Sequence, residues 1–213
     1  MNILFLGAPG SGKGTQSKNI EDKFNIPQIS TGDLLRAETA SESKMGQELK
    51  KIMSSGKFVN DDIVLKLVSK KITSGDCKNG FILDGFPRNL AQATSLDSLL
   101  SNLNISLEYV FFIDVPADLI IKRCVGRITC NTCGKIENEY FSEFREGDKC
   151  GEGIFVKRAD DNEETVSNRL KVYTEQTEPI IEFYKEKGVL HRIIGGEDGP
   201  QRLTDEITSI IKN

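Results

Sequence analysis

Gly7-Ala8-Pro9-Gly10-Ser11-Gly12-Lys13-Gly14-Thr15 follows directly on the apolar run Ile3-Leu4-Phe5-Leu6 and passes into a helical pattern. A short apolar run that ends in glycines and opens a helix reads as a strand, a tight loop and a helix start. The glycines let backbone N–H groups curl round an anion, and the helix N-terminus adds partial positive charge. Lys13 brings the full charge that a terminal or bridging phosphate needs. The spacing Gly7-x4-Gly12-Lys13 is that of a phosphate-binding loop, with one departure: Gly14 follows the lysine, and the hydroxyl comes one later at Thr15. The loop is read as holding a nucleoside triphosphate. The bland alternative is a glycine-rich turn carrying a solvated lysine.

Outward from this loop, strand and helix patterns alternate. Lys13 to Phe24 reads as a helix ended by Asn25 and Pro27, and Pro27 to Ser30 as a short strand. Two amphipathic helices are expected over Asp33 to Ala40 and Lys44 to Met53, then a helix from Ile63 to Ile72 behind the cap cluster Asn60-Asp61-Asp62. The runs Phe81-Ile82-Leu83 and Tyr109 to Ile113 are continuous and apolar, as in strands buried on both faces. Helices are expected at Leu90 to Leu100 and at Ala117 to Val125, the latter with Pro116 at its first position. Asp161 and Glu164 have capping-box spacing at the head of a long helix that Pro179 should kink or split. A strand from Val189 to Ile194 and a helix from Leu203 to Lys212 close the chain. The fold class is therefore α/β: a three-layer fold around a parallel sheet of about five strands, with helices on both faces. Residues 1–29, 60–126 and 159–213 form the expected core, interrupted by insertions at 30–59 and 127–158. Both should stand over the carboxyl ends of the strands, where open α/β sheets bind ligands.

Composition narrows the classes. Of 213 residues 28% are charged and 38% hydrophobic, with a formal net charge of −4, so no basic nucleic-acid or polybasic membrane surface is expected. No apolar run approaches the ~18 residues of a membrane span, and the N-terminus has no signal-peptide pattern. Five cysteines without an export signal point to reduced thiols or metal, and to a cytoplasmic protein. The single histidine, His191, lies in an apolar strand pattern and reads as structural. A histidine base therefore has almost no candidate, which suits transfer between ionised phosphates.

Four stretches taken together resemble the adenylate kinase family over essentially the whole chain. They are the loop at 7–15, Thr31-Gly32-Asp33-Leu34-Leu35-Arg36, Asp84-Gly85-Phe86-Pro87-Arg88, and Arg158-Ala159-Asp160-Asp161 with Arg169. The resemblance implies ATP + AMP = 2 ADP with Mg²⁺, in a chain that is a monomer. It implies ATP at Gly10, Ser11, Gly12, Lys13, Gly14 and Thr15, with Arg127, Ile136 and Glu137 alongside. Lys13 and Arg123 would serve the transferring phosphates, Arg36 and Arg88 would clamp the AMP phosphate, and Arg158 and Arg169 would come from the lid side. Thr31, backbone groups at Lys57, Phe58 and Val59, the segment Gly85-Phe86-Pro87, and Gln92 would hold AMP and read its adenine. Asp84, costly at the end of a buried strand unless it faces a cation, is assigned to Mg²⁺ through coordinated water. Capping the next helix is its alternative role.

The cysteine-bearing insertion is similar to the long lid of that family. Cys130-x2-Cys133-x16-Cys150 has zinc-ribbon spacing without a fourth thiolate, and Gly153 stands where a second Cys-x2-Cys would end. Glu152, or Asp148, would complete a Zn²⁺ site; a metal-free lid held by hydrogen bonds is the competing reading. Cys77 and Cys124 are read as packing residues or as exposed without a role. The hinges fall near Gly126-Arg127 and Arg158-Ala159, with lid opening and product release limiting turnover. Two rival readings are a UMP, CMP or GMP kinase, and a nucleotide-binding zinc module without transfer. The long lid argues against the first, and the second cationic clamp of Arg36 and Arg88 against the other.

Overall fold

The computed structural model describes residues 1–40, 43, 46, 47, 49, 59–158 and 161–212, and leaves the side chains of Arg36 and Ala40 outside that description. The chain runs β1 (Asn2–Leu6), α1 (Lys13–Phe24), β2 (Gln28–Ser30), α2 (Thr31–Ala40), α3 (Asp61–Ile72), β3 (Phe81–Asp84), α4 (Leu90–Asn102), β4 (Tyr109–Asp114) and α5 (Ala117–Val125). Short strands β5 (Arg127–Cys130), β6 (Ile136–Asn138), β7 (Lys149–Cys150) and β8 (Gly153–Lys157) follow. Then come α6 (Glu163–Val172), α7 (Pro179–Glu186), β9 (Leu190–Ile194) and α8 (Pro200–Lys212). Most of the helix expected over Lys44 to Met53 lies outside the described residues.

β1, β2, β3, β4 and β9 form one parallel sheet in the order β2-β3-β1-β4-β9. The period-2 geometry of a strand sends its residues to two separate cores. Leu4 and Leu6 join Leu83, Val110, Phe86 and Tyr184 on one face, while Ile3 and Phe5 join Ile82, Phe111, Ile113 and Ile207 on the other. This three-layer α/β arrangement is the one read from the apolar runs. His191 sits on the edge strand β9 with its ring 5.6 Å from Phe111 and 5.9 Å from Tyr109, a packing role.

The register gathers the strand ends that matter. Phe5 of β1 lies beside Asp84 and Phe111, and Ser30 lies beside Asp84. The loops after β1, β2, β3 and β4 therefore leave one edge of the sheet together, where ligands of such sheets bind.

β5 to β8 build a small antiparallel sheet in the order β6-β5-β8-β7. Its own core is Ile128, Cys130 and Phe155, with Phe144 and Cys150 packed against them and the Phe144 and Phe155 rings 5.1 Å apart.

Two local expectations are corrected and a third is borne out. Pro116 is the cap of α5, extended at ψ 142°, and not its first helical residue. Asp161 does not cap α6: Asn162 does, its side chain accepting from the Thr165 N–H at 2.9 Å, because the Asp161 carboxylate is taken by an arginine. The long helix is split in two at Pro179, as expected. A π-helical turn, Tyr173–Thr177, ends the first part, and Pro179 takes the first position of α7, where its missing N–H costs nothing. Among the described residues no helix is long and apolar enough to cross a membrane.

Candidate active site at the carboxyl edge of the sheet

The loop after β1 is tight because its glycines allow it. Gly7 has φ 147°, and a Cβ there would lie 2.6 Å from the Ile113 carbonyl and 2.7 Å from Ser11 Oγ. Gly10 rests on the Cys124 sulfur so closely that a Cβ would overlap it. Cys124 is thus a buried packing residue under the loop, as Cys77 is a buried one beside α3. Gly12 caps α1 in the left-handed region, no side chain caps the helix, and its first turn has no acidic residue. An anion in the loop would meet these N–H groups without competition.

Lys13 folds back over the loop, its Nζ donating to the carbonyls of Gly7 at 2.6 Å and Ala8 at 2.9 Å. Burial of the ammonium pulls its pKa down to about 8; Asp84 opposes that shift, while Arg88 and Arg169 reinforce it. That balance locates the site. A strand-end carboxylate, an arginine from the loop after β3 and an arginine from α6 all act on the one lysine.

Asp84 is held by Gln28, whose side-chain amide donates to Oδ2 at 3.0 Å. Burial raises its pKa, and Lys13 is the strongest of the groups drawing it back. The carboxylate lies against the start of α1: a Cβ on Gly14 would be in ordinary contact with Asp84 Oδ2, at 3.5 Å. A desolvated carboxylate beside the phosphate loop fits Mg²⁺ held through water, since that ion sheds water reluctantly.

On the β2–β3 side, Thr31 Oγ1 donates to the Gly85 carbonyl at 2.9 Å, and Arg88 Nε donates to the same oxygen at 2.8 Å. Gly85 has φ 77°, Phe86 and Pro87 are buried, and the Phe86–Pro87 peptide is cis. The Thr177 hydroxyl donates to the Arg88 carbonyl at 2.7 Å, tying this loop to the π-helical turn. Gln92 is 6% exposed, and its amide is engaged by Arg88 and Asp61. Val59 is buried in the same core that Leu34 and Leu35 of α2 pack against. Arg36 lies on α2; Lys57 and Phe58 lie outside the described residues.

The two arginines around α5 take different places beside the loop. Arg123 donates to the carbonyls of Ser11, at 3.5 Å, and Gly196, so it bridges the outside of the phosphate loop to the β9–α8 connection, with Glu197 acting on it. Arg127, expected against ATP, acts together with Arg169 and Lys13 on Cys124 beneath the loop. Its Nε donates to Asp161 Oδ2 at 2.7 Å, and a second nitrogen engages the other oxygen. The reason is helical geometry. Arg123 sits inside the last turn of α5, whereas Arg127 is already the first residue of β5. Half-buried Arg158 follows β8, and half-buried Arg169 lies in the last turn of α6. Ile136 and Glu137 lie on β6 of the small sheet, Ile136 43% exposed and Glu137 ion-paired with Lys135.

In the small sheet the sulfurs of Cys130, Cys133 and Cys150 all lie within 4.8 Å of one another. The Cys133 N–H donates to Cys130 Sγ at 3.5 Å, and this bond is the largest cause lowering the Cys130 pKa to about 7. Three soft donors at this spacing fit three corners of a tetrahedral Zn²⁺ site. The expected fourth corner is not brought to them. Glu152 is exposed in the turn between β7 and β8, and Asp148 accepts from the Arg145 N–H at 2.7 Å. Gly153 leaves no room either, because a Cβ there would lie 2.7 Å from Cys130 Sγ.

Gln28, Asp61 and Asp161 are the polar residues that sequence reasoning passed over. Asp161 stood in the quoted Arg-Ala-Asp-Asp stretch and had been given to a helix cap. Gln28 carried a usable signal: a polar residue inside a strand whose next residue, Ile29, is buried.

Comparison with known proteins follows the same lines. The family model described as adenylate kinase matches residues 5–189. The chain is 51% identical over 198 residues to an adenylate kinase of Thermodesulfovibrio yellowstonii, covering 92% of each chain. It is 44% identical over 216 residues to one from Nitrosococcus oceani, covering 100% of this chain and 96% of the relative. Similarity to one from Archaeoglobus fulgidus is 44% over 200 residues, covering 93% and 92%.

Proposed function

Because the chain belongs to the adenylate kinase family, we propose that the carboxyl edge of its sheet holds two nucleotides tail to tail and passes one phosphoryl group between them. The reaction is ATP + AMP = 2 ADP, and the protein is a phosphotransferase. The observation that carries the site reading is the convergence on Lys13 of Asp84, Arg88 and Arg169, contributed by separate elements of the fold. Two polyphosphate chains repel each other, and bringing them in line requires cations from both sides at once.

In this reading the backbone of Gly10, Ser11, Gly12, Gly14 and Thr15 cradles the ATP phosphates, and Lys13 leaves its carbonyl partners to meet the transferring group. Arg127 and Arg169 stand with it, Arg158 closes from the lid side, and Arg123 lies toward the nucleoside end of ATP. Arg88 and Arg36 take the AMP phosphate; Thr31, Val59 and Gln92 face the AMP base. Mg²⁺, when bound with ATP, offsets phosphate charge, and Asp84 orients its water shell while Gln28 orients Asp84. The segments 30–59 and 127–158 close over the substrates, with hinges at Gly126-Arg127 and after Arg158, and exclude water that would otherwise hydrolyse ATP. The cysteine triangle holds Zn²⁺ with a fourth ligand from outside the triangle. The protein works as a monomer in the cytoplasm.

Purified protein with ATP, Mg²⁺ and AMP should give two ADP for each ATP consumed and no free orthophosphate. Orthophosphate release in place of ADP overturns the reading. Lys13→Met should lower turnover at least ~10³-fold, the scale of a lost cation at the transferring group, while leaving the thermal midpoint within a few degrees. Metal analysis of the same preparation tests the cysteine site.

A further inference from the structure

Gln92 does not stand alone at the AMP side. Its Oε1 accepts from the Arg88 N–H at 2.7 Å, and its Nε2 donates to Asp61 Oδ1 at 2.5 Å. The other oxygen of Asp61 accepts from Asn89 Nδ2 at 3.2 Å, while Asn89 Oδ1 accepts from the Gln92 N–H at 2.8 Å as the cap of α4. Every direction in this ring is dictated. A backbone N–H can only donate, so it must face Oε1; a carboxylate can only accept, so both amides must turn their nitrogens to it.

We infer that Asp61 is a specificity-determining positioning residue, locking the Gln92 side-chain amide in the one orientation that reads adenine. The inference rests on the placement of Gln92 at the AMP base. With one N–H and one lone pair committed to protein, the amide keeps one donor and one acceptor for a base edge. Adenine offers a ring-nitrogen acceptor beside an amino donor. Hypoxanthine offers the reverse, a ring N–H beside a carbonyl oxygen, and would be read by the amide turned over. Asp61 and the Arg88 N–H together forbid that turn, and Asp61 is the half of the lock that a side-chain substitution can remove. Its position is apt, because it is the first residue of α3, one cap residue past the 30–59 segment, while Arg88 and Gln92 belong to the phosphate-clamp loop and α4. One carboxylate thereby ties the end of the segment to the group that reads the base.

The test uses the whole enzyme with AMP and inosine monophosphate as competing acceptors. Asparagine at 61 has the same shape but a single acceptor, so it cannot receive both amides. Asn89 is pinned by its cap and keeps the single oxygen, so Gln92 Nε2 loses its acceptor and only the Arg88 N–H still holds that amide. Asp61→Asn should lower the AMP-to-IMP ratio of kcat/KM about tenfold, the worth of one charge-assisted hydrogen bond. The loss should fall on KM for AMP, with kcat within about twofold. The double variant Asp61→Asn with Asn89→Asp exchanges carboxylate and amide. It keeps a good helix cap, restores an acceptor for Gln92, and should bring the ratio back to within about threefold of the parent.

An unchanged ratio in Asp61→Asn overturns the inference, and so does a ratio that the exchange fails to recover. A parent enzyme that makes no ADP from AMP overturns the function itself, which keeps the two failures apart. A merely structural Asp61 would change the midpoint or kcat for both acceptors equally and leave the ratio where it was, again overturning the inference.

Discussion

The central sheet and the small lid sheet stabilise themselves by different means. The five-stranded sheet buries both faces: Phe5, Phe111 and Ile207 belong to one apolar core, Leu83, Phe86 and Tyr184 to the other. The four-stranded sheet encloses only Ile128, Cys130 and Phe155. Around them it relies on polar links, such as Lys157 to Glu139 at 2.7 Å and Lys135 to Glu137 at 2.9 Å, both with the lysine well exposed. Exposed pairs of this kind contribute about 0–1 kcal/mol each. The lesson is that the scaffold is rigid by burial, whereas the small sheet has just enough core to keep its own shape. The lid movement proposed above would draw on a region at this low end of the stability range.

The sharpest way to break this comparison is to cut the same side chain from both places. Phe111→Ala should destabilise the whole protein by about 3–5 kcal/mol, read as a shift of the denaturation midpoint. Phe155→Ala should leave that midpoint within about 1 kcal/mol, because only the lid's small core is lost. It should instead raise hydrogen exchange over 127–157 and lower turnover. An equal fall of the global midpoint in both variants would mean that lid and scaffold unfold as one unit.

Next in size comes the ion pair at the junction. Arg127 opens β5, Asp161 precedes α6, and the aspartate side chain is fully buried while the arginine is 18% exposed. Asp161→Ala strands a desolvated guanidinium and should cost about 3 kcal/mol. Arg127→Met with Asp161→Leu should recover most of that stability, since an apolar pair does not need compensation, yet it should not recover turnover. Recovery of both would show the pair to be structural only.

What the sequence disclosed follows from how local the cause is. Strands β1, β3 and β4 were legible because both-face burial demands continuous apolar runs, and the loop at 7–15 because its glycines and lysine are consecutive. Thr31, Asp84 and Arg88 could be named because they stand in contiguous motifs, and Gln92 only through the resemblance. Their partners could not. Gln28 meets Asp84 across 56 positions, and Asp61 meets Gln92 across 31, so the juxtaposition exists only in the folded sheet. The partners of Arg123 and Arg127 were hidden for the same reason, since four residues of sequence separate a helix face from a new strand. Asp161 deceived because its spacing to Glu164 fits a cap, and an arginine 34 residues away outcompeted the backbone for its carboxylate.

The smallest effect concerns Lys13, the charge that the scaffold buries and that Arg88 and Arg169 help to depress. In the ligand-free protein its pKa is held at about 8, against 10.5 for a free lysine, chiefly by burial. The folded state thus releases the proton earlier than the unfolded chain. The burial penalty on the ammonium is full below pH 8 and is relieved as pH rises from there toward 10.5, so this group makes the free protein more stable with rising pH. Binding runs in the opposite sense. A phosphate in the loop needs the ammonium, so above pH 8 the nucleotide must draw in a proton to bind. ATP affinity should be level below about pH 7 and fall about tenfold per unit well above pH 8. Calorimetry at pH 9 in two buffers of different ionisation enthalpy should count close to one proton taken up, and Lys13→Arg should abolish that uptake because guanidinium stays charged throughout. Affinity that stays flat to pH 10, or binding at pH 9 without proton uptake, would remove Lys13 from the desolvated centre of the site and leave it as a lysine on the rim.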